Sequence, residues 1–377
     1  MTDFTPSTVE YWPTTDWLSS TPEEQGMNST KLNQMAEYIA SHGFAIDSVV
    51  IVRNGYIVHE EYPNPTTSNR DHLHFLYSVT KSFSSALIGI AIQKGYISCI
   101  DQKVVEFFPN RTIANLDARK QNMTLEHLLT MTTGLEWDEW TYPYTDSRND
   151  VIRMINSGDA VQFVLDRPMK DNPGTMWVYS TGASHLLSAI IEQRTGKTTL
   201  EFANEFLFKP LGIEKVYWGQ DPQGVYYGGF DLYLRARDMA KFGYLYLNNG
   251  TWDNQQIVAA DWVSNSSETS FYFSKDRGYS YQWWTYPKLG IYYASGLYAQ
   301  SIFVVPDSNL VVVFTANIRS GSNPEHRLLF EYIIPAIMNG SINTSLPPNF
   351  DILLPFLPIV LVVPIIAIVI YLLKRRG

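Results

Sequence analysis

The chain holds one cysteine, Cys99, among 377 residues, so no intrachain disulfide can brace it. Cys99 follows an apolar helix in an apolar turn and is expected to be a small core residue. A basic excess is also missing. Asp and Glu number 37 against 28 Lys and Arg, for a net charge of −9 and a pI near 5.3. That balance argues against nucleic acid as a partner. No convincing metal framework is present. His72-Leu73-His74 is an H-x-H pair, but no further His or Asp follows at ligand spacing, so the stretch reads as an extended lead-in to a helix. No metal or cofactor is expected. There is no internal repeat, and Met1 to Pro6 show neither the basic nor the apolar region of a secretory leader. What is abundant is apolar and aromatic: 45% hydrophobic residues, 24 Tyr and 10 Trp. These suffice for a sizeable core, with enough aromatic surface to line a cleft.

The run from Leu73 to Gly95 organises the rest. Its spacing predicts a helix from near Ser78 to Gly95, apolar nearly all round and therefore buried. Ser78 and Lys81 are three apart and share one face of the first turn. A lysine there opposes the helix dipole and is costly to desolvate unless its charge is used or its pKa lowered. A serine hydroxyl beside such a lysine is an activated nucleophile.

Around that helix the pattern alternates. Leu32–Ala40 reads as an amphipathic helix, and Ile46–Val52 and Tyr56–Tyr62 as strands joined at Asn54-Gly55. From Asp101 to Gly228 the texture is helical and loop-rich, with helices at Thr124–Met131 and Gly182–Arg194 and an aromatic loop at Asp138–Asp150. A helix at Arg237–Leu247 precedes strands at Tyr279–Thr285, Ile291–Ala294, Gln300–Val305 and Leu310–Thr315. Glu325–Met338 reads as a closing helix. This gives a body over 1–345, with sheet parts at about 26–100 and 230–340 and a helical region at about 101–229.

Residues 346–377 differ. Ile352–Leu373 carries no charge, is long enough to cross a bilayer, and is followed at once by Lys374-Arg375-Arg376. The expectation is a single-pass membrane protein with a C-terminal transmembrane helix, a cytoplasmic C-terminus and an extracytoplasmic body. Seven N-x-S/T sites, at Asn28, Asn110, Asn122, Asn249, Asn265, Asn339 and Asn343, fit a glycosylated body.

Two further stretches complete a constellation. Tyr179-Ser180-Thr181 precedes a helix, and Ala294-Ser295-Gly296-Leu297 ends a strand. Ser-x-x-Lys, then Tyr-Ser-x about a hundred residues on, then a small-x-Gly strand motif, resembles the serine β-lactamase and penicillin-binding-protein superfamily. Within it the chain is similar to the class C β-lactamase-related branch, in the style of esterases and 6-aminohexanoate-dimer hydrolases. Supporting stretches are His127–Leu135, Ala236–Gly243, Gln282-Trp283-Trp284 and Gln300–Pro306.

The resemblance implies an α/β (α+β) β-lactamase/transpeptidase-like fold: an antiparallel sheet flanked by helices, with a mostly helical insertion and the active site in the groove between. It implies Ser78 as acylated nucleophile, with Lys81 and Tyr179 sharing the base and acid work. The oxyanion hole would be the backbone N–H groups of Ser78 and Leu297, with Gly296, Ser295 and Thr181 lining the substrate site. Three positions depart from the pattern. Thr181 stands for Asn, Ala294 for the cation that would hold a substrate carboxylate, and Ala299 for Gly. The expected substrate is therefore a small or peptide-like ester or amide without a carboxylate. Trp140, Trp283, Trp284 and Tyr298 are the candidate pocket aromatics. The alternatives are a D-Ala-D-Ala-type peptidase or β-lactamase, and a non-catalytic surface binding protein on a degenerate hydrolase fold. Protease added to intact cells should digest the body; a fully protected body would overturn the expected orientation.

Overall fold

The computed structural model describes residues 11–65, 68–319 and 323–338. The apolar segment Ile352–Leu373 and the sites at Asn339 and Asn343 lie outside them, and among the described residues no helix is long and apolar enough to cross a membrane. The other five N-x-S/T asparagines are all exposed.

Helix α1 (Ser29–His42) opens with the Asn28 side chain accepting from the Lys31 N–H and ends at Gly43, in the left-handed region. Strands β1 (Ile46–Arg53) and β2 (Tyr56–Glu61) turn at Asn54-Gly55, both at positive φ. The short β3 (His74–Phe75) leads to α2 (Thr80–Gln93). A helical region follows. Within it, α3 (Leu125–Leu129) and α4 (Thr181–Thr195) bear on the site. Then come β4 (Tyr217–Trp218), β5 (Leu232–Leu234) and α5 (Ala236–Leu247). The chain continues through β6 (Phe271–Ser274), β7 (Arg277–Ser280), β8 (Trp283–Tyr286), β9 (Ile291–Gly296), β10 (Gln300–Val305) and β11 (Leu310–Ala316). It closes with α6 (Pro324–Leu328).

One eight-stranded antiparallel sheet, in the order β2-β1-β11-β10-β9-β8-β7-β6, takes two strands from the start of the chain and six from its end. Its central strands are buried on both faces, which is why they read as unbroken apolar runs. Val50, Val52, Ile302, Val304, Val311 and Val313 face a core shared with α2, α4 and α5. Val49, Ile51, Phe303, Val305, Val312 and Phe314 face α1 and α6. A second, three-stranded sheet, β3-β5-β4, leads the chain into α2.

Four local expectations differ from what is observed. The α-helix starts at Thr80, because Tyr77 is left-handed (φ 46°) and Ser78 lies in a 3-10 turn, Tyr77–Val79. The strand read over 279–285 is two strands, β7 and β8, meeting at Tyr281 and Gln282, both at positive φ. No glycine marks that turn. Instead the buried Gln282 amide donates to the carbonyls of Leu128 and Leu129 and fixes it. The closing helix widens into a π-turn at Leu329–Ile333 and ends as a 3-10 turn, where Pro335 has no N–H to continue the ladder. Cys99 is exposed, not in the core: Ile97 takes the buried place in that turn.

Helix α2 is held tightly between its neighbours. At Gly89 an added Cβ would come within 2.6 Å of the Trp262 indole. Gly89→Val should therefore cost roughly 1–3 kcal/mol in chemical denaturation, and a change within ±0.3 kcal/mol would contradict this packing.

Candidate active site

The turn that carries Ser78 is pinned from two sides. The Leu76 N–H donates to the Leu232 carbonyl at 2.9 Å, tying the turn to β5. Gly296 at the end of β9 lies against it. An added Cβ there would meet the Leu76 carbonyl oxygen at 2.4 Å and the Ser78 nitrogen at 3.1 Å. The strand backbone thus approaches the Ser78 N–H as only glycine permits. Ser78 itself is half-buried.

Lys81 lies one turn along, 1% exposed. Its ammonium donates to Ser78 Oγ (3.1 Å), Thr181 Oγ1 (3.0 Å) and the Gly229 carbonyl (2.9 Å). It also lies 4.8 Å from the centre of the Tyr179 ring. Burial lowers the lysine to about 8, with the charge of Glu139 opposing the shift. Gly228 and Gly229 let the backbone pass between α2 and α4. A Cβ on Gly228 would strike the Ser184 carbonyl oxygen at 2.1 Å, and one on Gly229 would reach Thr181 Cγ2 at 2.8 Å.

Glu139 is the functional side chain that sequence reasoning missed. It is 2% exposed. Oε2 accepts from Trp137 Nε1 (2.6 Å) and the Thr181 N–H (2.7 Å), and Oε1 from Thr181 Oγ1 (2.9 Å) and the Tyr144 hydroxyl (3.1 Å). Burial pushes its carboxyl up, while Lys81 and these donors pull it down. Each of these contacts is a donor, so the carboxylate is the form the site holds. The Thr181 hydroxyl accepts from Lys81 and donates to Glu139. Threonine therefore links the lysine to the glutamate at the position where the resembled pattern has asparagine. The weak sequence signal was an acid between two tryptophans, Trp137 and Trp140.

Tyr179 is 8% exposed, and its hydroxyl interacts with Ser78. Burial first, and the Glu139 charge second, raise the phenol far above its ordinary value, so it is protonated at neutral pH. Trp140 stacks on Tyr179 with centroids 5.4 Å apart, and Trp284 lies 6.0 Å away. Tyr298 meets Tyr77 edge-on at 5.2 Å. Of the candidate pocket aromatics, Trp283 does not belong here. It is fully buried among Phe242, Tyr246 and Tyr292, because the β7–β8 turn sends Trp284 rather than Trp283 to the site side.

The structure thus gathers Ser78, Lys81, Tyr179 and Thr181, with Gly296 against the Ser78 backbone and Leu297 next in the chain. Ser295 is half-buried and pairs with Ser301. Ala294 is fully buried. Ala299 is left-handed (φ 70°), the conformation that makes glycine usual there.

Fold and site define a class: a serine hydrolase arrangement built on a Ser-x-x-Lys helix. The chain belongs to the Beta-lactamase family, whose model matches residues 33–334. It is 23% identical over 282 residues to the 6-aminohexanoate-dimer hydrolase of Paenarthrobacter ureafaciens, covering 71% of each chain. It is 25% identical over 198 residues to esterase EstB of Burkholderia gladioli, covering 50% of this chain and 48% of that one. A putative 6-aminohexanoate-dimer hydrolase from Bacillus anthracis shares the fold, with a TM-score of 0.68 at 22% identity over 80% of both chains. The chain spans about half to two thirds of the length of several curated relatives.

The Glu139 charge holds the Lys81 pKa up, so its removal lets burial lower it further. In Glu139→Gln the acid limb of the kcat/KM profile should move to lower pH. kcat should fall about tenfold, because the amide presents hydrogens to the Thr181 and Trp137 donors. An acid limb that stays in place would remove Glu139 from the Lys81 network.

Proposed function

We propose that the chain is a serine hydrolase that forms an acyl-enzyme on Ser78 and hydrolyses esters or amides lacking a carboxylate near the scissile bond. The observation that carries this reading is the Lys81 ammonium. It is almost wholly buried, depressed to about 8 and 3.1 Å from Ser78 Oγ. Ser78 Oγ attacks the carbonyl carbon and its proton passes to neutral Lys81. The Ser78 and Leu297 N–H groups receive the developing oxyanion. Tyr179 then gives its proton to the leaving oxygen or nitrogen, and Lys81 returns one to Tyr179. Water hydrolyses the ester on Ser78 by the same relay in reverse. Protonated Tyr179 favours this order over one that begins from tyrosinate.

Substrate choice rests on Ala294. A cation at that position would bind the carboxylate that β-lactams and D-Ala-D-Ala peptides carry; a buried methyl group cannot. Intact Ser78, Lys81 and Tyr179 speak against a non-catalytic binding role. The neutral span at Ile352–Leu373 and its basic flank support anchoring of this body to a membrane, and the exposed N-x-S/T asparagines support a body outside the cytoplasm.

A fluorophosphonate probe should label the wild type and not Ser78→Ala. Lys81→Ala and Tyr179→Phe should each lower p-nitrophenyl butyrate turnover at least ~100-fold, and nitrocefin should turn over far more slowly than that ester. Equal labelling of Ser78→Ala would end the proposal, and comparable nitrocefin turnover would end its substrate half.

A further inference from the structure

The small sheet has an outer face of unusual composition. Its inner face, His74, Leu232, Leu234 and Trp218, is buried. The outward residues of an antiparallel sheet with one solvated face are ordinarily polar. Here they are Phe75, Tyr233 and Tyr217, cross-strand neighbours in register. Phe75 and Tyr233 are half-buried and Tyr217 is 39% exposed. The row does not stop at the sheet. Tyr77 stacks on Phe75 (4.0 Å, 24°), Phe75 on Tyr233 (4.8 Å, 10°), and Tyr217 meets Tyr233 edge-on (5.2 Å, 75°). Tyr77 directly precedes Ser78. At that same end Tyr77 meets Tyr298, directly after Leu297, and the Arg319 guanidinium lies 5.4 Å over the Tyr298 ring. The row is therefore closed at the strand end and continues away from Ser78 toward the exposed Tyr217.

Three of these rings are nearly parallel and stand side by side, so the row offers ring edges rather than one broad face. Ring edges carry apolar C–H groups with slight positive charge. They suit an extended apolar chain laid across them. The row spans three strands and one further step, roughly 14 Å at the usual inter-strand spacing. Two groups of a substrate leave the Ser78 carbonyl in different directions. The leaving group must reach the Tyr179 proton, and Tyr179 is walled by Trp140 and Trp284. The acyl portion is then left the Tyr77 side.

We infer that Tyr77, Phe75, Tyr233 and Tyr217 form an acyl-chain track, and that the enzyme acts on esters or amides of extended apolar acids. This inference rests on the acyl-enzyme reading above. The full-length chain is assayed with p-nitrophenyl esters from acetate to decanoate, and with acetate esters of alcohols of matching length. kcat/KM should rise at least ~10-fold from acetate to octanoate, mainly through KM, with little change along the alcohol series. In Tyr217→Ser and Tyr233→Ser the octanoate-to-acetate ratio should collapse toward one, and in Tyr217→Phe it should persist. A flat acyl series in the wild type overturns the track, as does a steep one untouched in both serine variants. A rise along the alcohol series that these variants abolish puts the leaving group there instead and equally overturns it. Intact-mass detection of acylated Ser78 separates the two levels: an acyl-enzyme with a flat series defeats only the track, whereas no acyl-enzyme from any ester defeats the hydrolase reading as well.

Discussion

A buried ammonium is the constraint on which the rest depends. Removing a lysine from water costs several kcal/mol unless hydrogen bonds and charge restore what the solvent supplied. Here three acceptors and one carboxylate behind them do so: Ser78 Oγ, Thr181 Oγ1, the Gly229 carbonyl and Glu139. They come from the Ser78 turn, the start of α4, the Gly228–Gly229 crossing and the loop after α3. Each of those segments is placed so that one cation is satisfied. The incomplete compensation shows as a lysine lowered to about 8, within the range that the proposed base role requires.

The sheet supplies the rigid side of the same arrangement. Gly296 sits half-buried at the end of β9, a strand that lies between β8 and β10, and pairs with Gln300 of β10. Its backbone can press on Ser78 only because α2 is locked from behind by β5, α4 and the Trp262 ring. The left-handed pair Tyr298–Ala299 then turns the chain back into β10, with Gln300 donating to the Leu297 and Tyr298 carbonyls. The left-handed backbone and these hydrogen bonds together fix the corner that lies against the Ser78 backbone.

What could be read from the residues alone follows from how local the signal is. Ser78 and Lys81 share a helical turn, and the central strands are apolar on both faces, so both were legible. Tyr179 came from a short motif. Glu139 reaches Thr181 across 42 positions from a loop, and no periodicity marks a side chain that folds back under a site. The facing of Trp283 and Trp284 turned on a two-residue reversal at Tyr281–Gln282, which lacks glycine and is fixed by a buried amide. Cys99 is exposed although its turn reads as apolar, because Ile97, two residues earlier, takes the buried place. The outer aromatics of the small sheet were hidden for a similar reason: two- and three-residue strands are too short to show alternation.

The strand order has a consequence in time. β1 lies between β2 and β11, with Arg53 opposite Leu310. The hairpin leaves the ribosome early, but its second partner is made roughly 250 residues later, tens of seconds at ordinary synthesis rates. Through that interval β1 offers an unpaired edge and two apolar faces, a template for pairing with other chains. Vectorial synthesis therefore favours either shelter by a chaperone or delayed collapse of the first half, and the site, assembled from both halves, can exist only after β11 has closed the sheet.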